Sequence, residues 1–322
     1  MANAFICLDI GGSKILGSVL NEKNEIICRV KKKTRPEQGK EAVDAKIKEV
    51  IDELLTTSGV DRGSIKAIGA GAPGVIDTSI GTILYAPNIP WKDHCIGKIM
   101  EETYHIPFVV GNDVNVGVLG EWKYGAARGF SHVVGIFVGT GIGGGIMIDN
   151  KLFTGAHFAG TEVGHMIINT EGPLCNCGQR GCLEAFSSKI AITHEIQSGL
   201  SKGVKSTLSD VLSDKNTVIK SSTLKKAIIE GDQLAIGALK RAIYYLAAGA
   251  GNLINIFNPE VLILGGGILE ALEAEIMPVF NRYLPKFAWP AMLSQVQIKA
   301  SELKDDAILF GARALISETL GY

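Results

Sequence analysis

The chain lacks an excess of either charge: 32 Lys and Arg stand against 33 Asp and Glu, for a net charge of −1. That balance leaves no electrostatic footprint for a polyanion or an anionic bilayer, so neither a nucleic-acid nor a membrane partner is expected. The longest like-charge run, Lys31-Lys32-Lys33, fits the solvated end of a strand better than a polyanion site. Long hydrophobic runs are missing as well. The most apolar stretch, residues 133–148, carries six glycines, which makes it short for a membrane span and poor as a helix. No cationic segment leads the first apolar stretch, which meets Asp9 at once, so no secretory signal is expected. Cysteine is sparse. Cys7, Cys28 and Cys95 are scattered, while Cys175, Cys177 and Cys182 fall within eight residues. A disulfide framework would spread them more evenly, so the expected compartment is the cytoplasm.

Glycine is what the chain has in abundance, 39 residues in 322. The length suits two domains, and 46% hydrophobic against 20% charged residues suits a globular protein. The glycines cluster at the ends of apolar stretches, at residues 11–12, 69–74, 139–145 and 265–267. Four such loops point to phosphate or nucleotide binding, because glycine lets the backbone approach a ligand closely.

Residues 5–10, 15–20 and 26–30 read as an antiparallel meander, followed by an amphipathic helix over 41–55 with Val43, Ile47, Val50, Ile51 and Leu54 on one face. A strand is expected at 65–70, a helix at 97–104, a strand at 108–110 and a helix from Asp113 to about Tyr124. The opening pattern then returns: strand 133–138, a glycine turn 139–145, strand 146–148 and a hairpin turn at Asp149-Asn150. A repeated strand–glycine turn–strand unit predicts two related α/β domains facing a cleft. The remainder reads as helices over 187–198, 232–257, 269–283 and 308–320, with strands at 261–264 and 296–300.

Gly139-Thr140-Gly141-Ile142-Gly143-Gly144 matches G-x-G-x-x-G, the fingerprint of dinucleotide folds. That fingerprint works by aiming a helix N-terminus at pyrophosphate, and here a second strand follows, as it does after Asp9-Ile10-Gly11-Gly12. A nicotinamide enzyme is therefore disfavoured. A plain hairpin turn and a cradle of backbone N–H groups for phosphate both fit each loop. Asp9 can hold Mg²⁺ through its waters, and Lys14 can balance phosphate charge. Only Gly265-Gly266-Gly267 runs into a helix.

Cys175, Cys177 and Cys182, joined by His165 ten residues upstream, make a Cys3His set suited to structural zinc, which leaves no position open for catalysis. Glu162 and Glu184 flank these ligands and can bind hydroxyls. With no arginine cluster beside them, an uncharged polyol fits better than an anionic substrate. Asn112-Asp113, between a strand and a helix, reads either as a helix cap or as a base with a hydroxyl-binding partner. Taken with the glycine loops, phosphoryl transfer is the economical reading.

These motifs together resemble the ROK family of bacterial sugar kinases, within the hexokinase/actin superfamily, and its ATP-dependent glucokinases above all. The resemblance runs almost end to end, through Asp9 to Lys14, Gly71 to Gly74, Pro87 to Trp91, Asn112 to Asn115, Gly120-Glu121, Gly139 to Gly145, Glu162 to His165 and Cys175 to Glu184. It implies a two-lobed actin/hexokinase-like (ribonuclease H-like) α/β fold, with residues 1–111 plus 302–322 as the small domain and 112–301 as the large one. By the same resemblance Asp113 is the general base for the 6-hydroxyl of glucose, and Asn112, Glu162, His165, Glu184 and Asn88 hold the sugar. Gly11, Gly12, Lys14, Thr140 and Gly141 would approach the phosphates of ATP, Gly266 and Gly267 the adenosine, and Asp9 would act through Mg²⁺. His165 would serve zinc with one ring nitrogen and sugar with the other. A homodimer or tetramer is implied too. Ser13 replaces the family's usual threonine, and Thr161 stands where glycine is commoner. Kinases for N-acetylglucosamine, N-acetylmannosamine or fructose share these motifs, and a non-catalytic sugar sensor is a further alternative. A sugar-responsive repressor would need a DNA-binding module, for which the chain shows no room ahead of its first strand.

Overall fold

The computed structural model describes residues 3–214 and 216–322; Met1 and Ala2, at the head of the expected small domain, and Lys215, inside the expected large one, lie outside the described residues. The first sheet begins with the meander β1 (Ala4–Ile10), β2 (Lys14–Asn21) and β3 (Ile26–Lys33) and continues with β4 (Ile65–Ala72). A small antiparallel sheet intervenes, made of β5 (Val75–Asp77), β6 (Thr82–Tyr85) and β7 (Lys92–His94), before β8 (Phe108–Asn112) completes the first. Strands β5–β7 were not expected, because three- and four-residue strands are too short to show a period. The second sheet contains β9 (Val133–Val138), β10 (Ile142–Ile148), β11 (Lys151–Leu152), β12 (Val261–Gly265) and β13 (Gln297–Ala300).

The strand orders are β3-β2-β1-β4-β8 and β11-β10-β9-β12-β13. In both, each of the first three strands in sequence is antiparallel to the next, and the last two run parallel to the first. The molecule is therefore one sheet design used twice.

The helices are α1 (Lys40–Thr57), α2 (Ile96–Tyr104), α3 (Asp113–Tyr124), α4 (Glu184–Ser187), α5 (Lys189–Ser201), α6 (Ser221–Ile229), α7 (Gln233–Phe257), α8 (Gly267–Tyr283), α9 (Pro290–Leu293) and α10 (Ala307–Leu320). Strand alternation sends the two faces of each sheet into different cores. Ile6, Leu8 and Ile10 of β1 join Ile47 and Ile51 of α1, whereas Phe5 and Cys7 face Val116, Leu119, Leu309 and Ile316 of α3 and α10. On the second sheet, Val134 and Ile136 pack with Ile196, Leu239 and Leu272 of α5, α7 and α8. Val133 and Ile263 turn to the shared middle layer.

That middle layer is crossed over. Helix α3 follows β8 of the first sheet and packs on β10 of the second, while α10 follows β13 of the second and packs on β1 and β4 of the first. The two helices touch through their backbones. A Cβ on Gly120 would lie 2.3 Å from the Ala307 carbonyl oxygen, and one on Gly311 would lie 1.8 Å from that of Val116. Strand glycines make room for the same helices: a Cβ on Gly143 would meet Val114 at 2.4 Å, and one on Gly145 would meet Val118 at 2.8 Å. This corrects the single turn expected over 139–145. The turn is confined to Gly139–Gly141, and the next three glycines are strand residues, of which Gly143 and Gly145 admit α3 and Gly144 admits Val163. The helix expected over 187–198 is also divided, because Ser188 is extended (φ −74°, ψ 168°) and its Oγ caps α5 by accepting from Ala191 N–H.

Candidate active site

Asp113 stands where β8 gives way to α3. Asn112 caps the helix: its Oδ1 accepts from the N–H groups of Val114 and Asn115, at 3.1 Å each, and its Nδ2 donates to the Gly74 carbonyl at 3.1 Å. These bonds leave one N–H of the amide free to meet a ligand. The Asp113 carboxylate accepts from Val114 N–H at 2.9 Å. Burial pushes its pKa up to about 6 against the opposing pull of the helix N–H groups, and the Glu162 charge adds to the rise. A carboxyl poised there is a base near neutrality.

Asp9 and Asp113 are close enough for the charge of Asp113 to raise the pKa of Asp9. Burial is the larger cause, and together with Asp305 they bring Asp9 to about 6 even though Lys14 works the other way. The adjoining turn is closed by Gly11 N–H donating to Lys14 O at 2.9 Å. Buried Thr34 braces it from behind, with Oγ1 donating to Gly11 O at 2.5 Å. Gly12 sits against the backbone of exposed Asn88, which a Cβ would meet at 3.3 Å. The strand after Asn88 is held by Trp91 stacked on His94, whose Nε2 is 3.0 Å from Asp44 Oδ1.

The second turn matches the first in place. Gly139 N–H donates to Gly141 O at 2.9 Å, leaving Thr140 exposed. Gly266 (φ +89°) caps α8, and Gly267 opens it. A Cβ on Gly266 would come within 2.6 Å of Val138 O, so glycine is required for the chain to pass the end of β9. The start of α8 thereby comes beside the second turn, where its free N–H groups suit an anion.

Glu184 opens α4 and reaches back to that turn: Oε2 accepts from Ile142 N–H at 2.9 Å and would lie 2.4 Å from a Cβ on Gly141. Burial raises the pKa of Glu162, Glu184 raises it further, and His165 lowers it. Glu162 thus links Asp113 on one side to His165 and Glu184 on the other through charge. The cysteines gather beside His165. Cys175 Sγ is 3.8 Å from His165 Nδ1, and Cys177 Sγ is 3.6 Å from Cys182 Sγ. All four candidate ligand atoms lie within 4.8 Å of one another. Tetrahedral zinc with bonds of about 2.3 Å to sulfur sets its ligands about 3.8 Å apart, so the donor set fits. The loop is wound by Cys175 N–H donating to Gln179 O and Gly178 N–H to Cys175 O, with Gly178 at φ +92°.

Sequence reasoning gave no role to three residues, one of which, Glu121, it met only within a motif of the family resemblance. Thr34 braces the first turn, and Asp305 reaches Asp9 electrostatically from across some three hundred positions. Glu121 is fully buried and accepts from Ala126 N–H, Ser301 Oγ, Glu302 N–H and Leu303 N–H, pinning the link between β13 and α10 to α3. Apart from the resemblance, its one signal in the sequence is a glutamate within the apolar face of α3.

Two sheets of one strand order, each with a glycine hairpin at its head and with the crossed helices between them, define an actin/hexokinase-like fold. The chain belongs to the ROK family, whose model matches residues 5–319. It is 34% identical to a glucokinase of Thermotoga maritima over 98% of both chains. To a xylose repressor of Caldicellulosiruptor bescii it is 31% identical over 99% of this chain and 79% of that one. Among solved structures, a ROK family glucokinase from Streptomyces griseus in complex with glucose and AMPPNP superimposes with a TM-score of 0.81 at 31% identity, covering 96% of this chain and 98% of that one. Among the described residues, no helix is long and apolar enough to cross a membrane.

Proposed function

We propose that this chain is a sugar kinase that transfers the γ-phosphoryl group of ATP to the 6-hydroxyl of glucose, giving glucose 6-phosphate, with Asp113 as general base. The observation that carries the reading is the place of Asp113: a desolvated carboxyl with a pKa of about 6 at a helix start, coupled to Asp9 on the phosphate side and Glu162 on the other. The nearly full-length likeness to glucokinases supports it.

In this reading Asn88, the free N–H of Asn112, Glu162, His165 and Glu184 hold the sugar so that one hydroxyl faces Asp113. Asp113 accepts its proton as the oxygen attacks phosphorus, and the departing ADP carries the charge of the bond that breaks. Backbone N–H groups of Gly11, Gly12 and Gly141, with Lys14 and Thr140, receive the phosphates, and Gly266-Gly267 the adenosine. Mg²⁺ at Asp9 would neutralise phosphate charge. Zinc on His165 Nδ1, Cys175, Cys177 and Cys182 would rigidify the loop that presents Glu184 and the second ring nitrogen of His165. The lobes, residues 1–111 with 302–322 against 112–301, close on the sugar and exclude water. The molecule works as a homo-oligomer, a dimer or tetramer, in the cytoplasm.

The test is ADP release with Mg-ATP across glucose, mannose, fructose, N-acetylglucosamine and N-acetylmannosamine, with the product's phosphate located by ³¹P NMR. Glucose-dependent turnover to the 6-phosphate is the expected result. Turnover on an N-acetyl sugar alone would move the substrate and keep the mechanism. The repressor relatives favour a second reading, a sugar-responsive regulator. Calorimetric sugar binding with no ADP release from any sugar would select it.

A further inference from the structure

Thr161 has a backbone conformation that a β-branched residue rarely adopts. Its φ is +69°, in the left-handed region where Cβ crowds its own carbonyl. Strain of this kind persists only where surrounding contacts over-determine it. Here the contacts come from the threonine hydroxyl. Its Oγ1 lies 2.9 Å from Asn115 Oδ1 on α3 and 3.2 Å from the Gly144 carbonyl on β10. Asn115 is buried and sits two residues beyond Asp113, in the first turn of the same helix.

The chain beyond Thr161 is tightly specified. Val163 N–H donates to Thr161 O at 2.7 Å, closing an inverse γ-turn centred on Glu162 (φ −71°, ψ 58°). Val163 packs on Gly144, where a Cβ would meet it at 2.6 Å, and Gly164 passes so near Ile142 O that a Cβ would lie 2.1 Å away. His165 N–H then donates to Glu162 O at 3.0 Å. The turn presenting Glu162 is thus clamped to β10 on its far side by packing. On its near side, Thr161 bonds it to the helix that carries Asp113.

We propose that Thr161 is a positioning residue for sugar recognition: its hydroxyl braces the Glu162 turn against α3 and so fixes the spacing between Glu162 and Asp113. The inference rests on the kinase reading for what the two carboxylates do, and on the geometry alone for the brace. Without the hydroxyl, only the packing of Val163 and Gly164 on β10 resists the strain at Thr161, and the turn relaxes away from α3. Sugar affinity should suffer while the nucleotide side, built on other loops, does not.

The experiment compares wild type with Thr161→Ser, which keeps the hydroxyl, and Thr161→Val, which keeps the shape. Each is measured by calorimetry for glucose and for a non-hydrolysable ATP analogue, and by steady-state kinetics for KM and kcat. Thr161→Val should weaken sugar binding about tenfold and raise the sugar KM to match, with nucleotide affinity unchanged and Thr161→Ser within about twofold of wild type. Wild-type sugar affinity in Thr161→Val would overturn the proposal, as would equal losses of sugar and nucleotide affinity. If the valine variant does not fold, Thr161→Ala against Thr161→Ser asks the same question of one oxygen, and indistinguishable sugar affinities would overturn the proposal. Binding without turnover in wild type would fail the kinase reading alone, because the affinities still test the brace.

Discussion

The two glycine hairpins hold matching positions, β1–β2 and β9–β10, in sheets of one strand order, yet they are loaded differently. The first is charged, with Asp9 before the turn and Lys14 after it, and is braced by Thr34. The second is uncharged at Gly139-Thr140-Gly141, and its far side receives Glu184, which leads into the cysteine loop. A repeated strand pair has thus been differentiated at its turn, in side chains and in length, with closure by Gly11 N–H to Lys14 O in one and by Gly139 N–H to Gly141 O in the other. In the proposed kinase the first would suit metal and phosphate, and the second would couple phosphate to the carboxylates proposed to face the sugar. The difference teaches that fold symmetry sets where a ligand can sit, and local chemistry sets which ligand it is.

The largest test of that asymmetry is zinc. Chelation, or Cys182→Ser at a fully buried candidate ligand, should lower turnover about a hundredfold and reduce thermal stability, with zinc re-addition rescuing the chelated wild type. Substitutions at the first hairpin should leave zinc content unchanged by elemental analysis. Next is the junction between the halves. In Gly311→Ala the new methyl would collide with backbone at Val116, so about 3 kcal/mol of stability should be lost in denaturant unfolding. A smaller effect separates the turns directly. Gly141→Ala drives a methyl into the Glu184 carboxylate and should raise the sugar KM about tenfold. Gly12→Ala only crowds Asn88, at 3.3 Å, and should change the sugar KM less than about threefold.

The smallest effect concerns charge. The folded pKa of Asp113, about 6, lies above the ordinary carboxyl value, so the native state holds this proton more tightly than the unfolded chain. That stabilisation is full below about pH 4 and is lost as pH rises through 6. Asp113→Asn, uncharged throughout, should therefore gain about 1–2 kcal/mol over wild type at pH 7 and almost nothing at pH 4, measured by urea unfolding.

Much of this arrangement was legible in the sequence. The meander, its return after residue 133, the long helices and the Cys3His spacing all express local periodicity or spacing, which a single chain displays. Residues 143–145 were misread because glycine in a strand looks like glycine in a turn until the neighbour that needs the space, Val114 or Val118 of α3 or Val163, is known. The crossing of α3 and α10 left no mark in the residue pattern, since Gly120 and Gly311 are unremarkable apart; only the family resemblance assigned 302–322 to the first lobe and 112–301 to the second. Glu121 and Thr161 gained their meaning from partners at Ser301 and Asn115 that no spacing rule connects to them.

The central claim is that Asp113 takes the proton from the sugar hydroxyl, and the most direct test is kcat for Asp113→Asn beside its calorimetric Kd for glucose. The account predicts kcat lower by about 10²–10⁴-fold, with Kd within about threefold of wild type and a wild-type kcat/KM that falls as pH drops through 6. An Asp113→Asn enzyme turning over at the wild-type rate would contradict it.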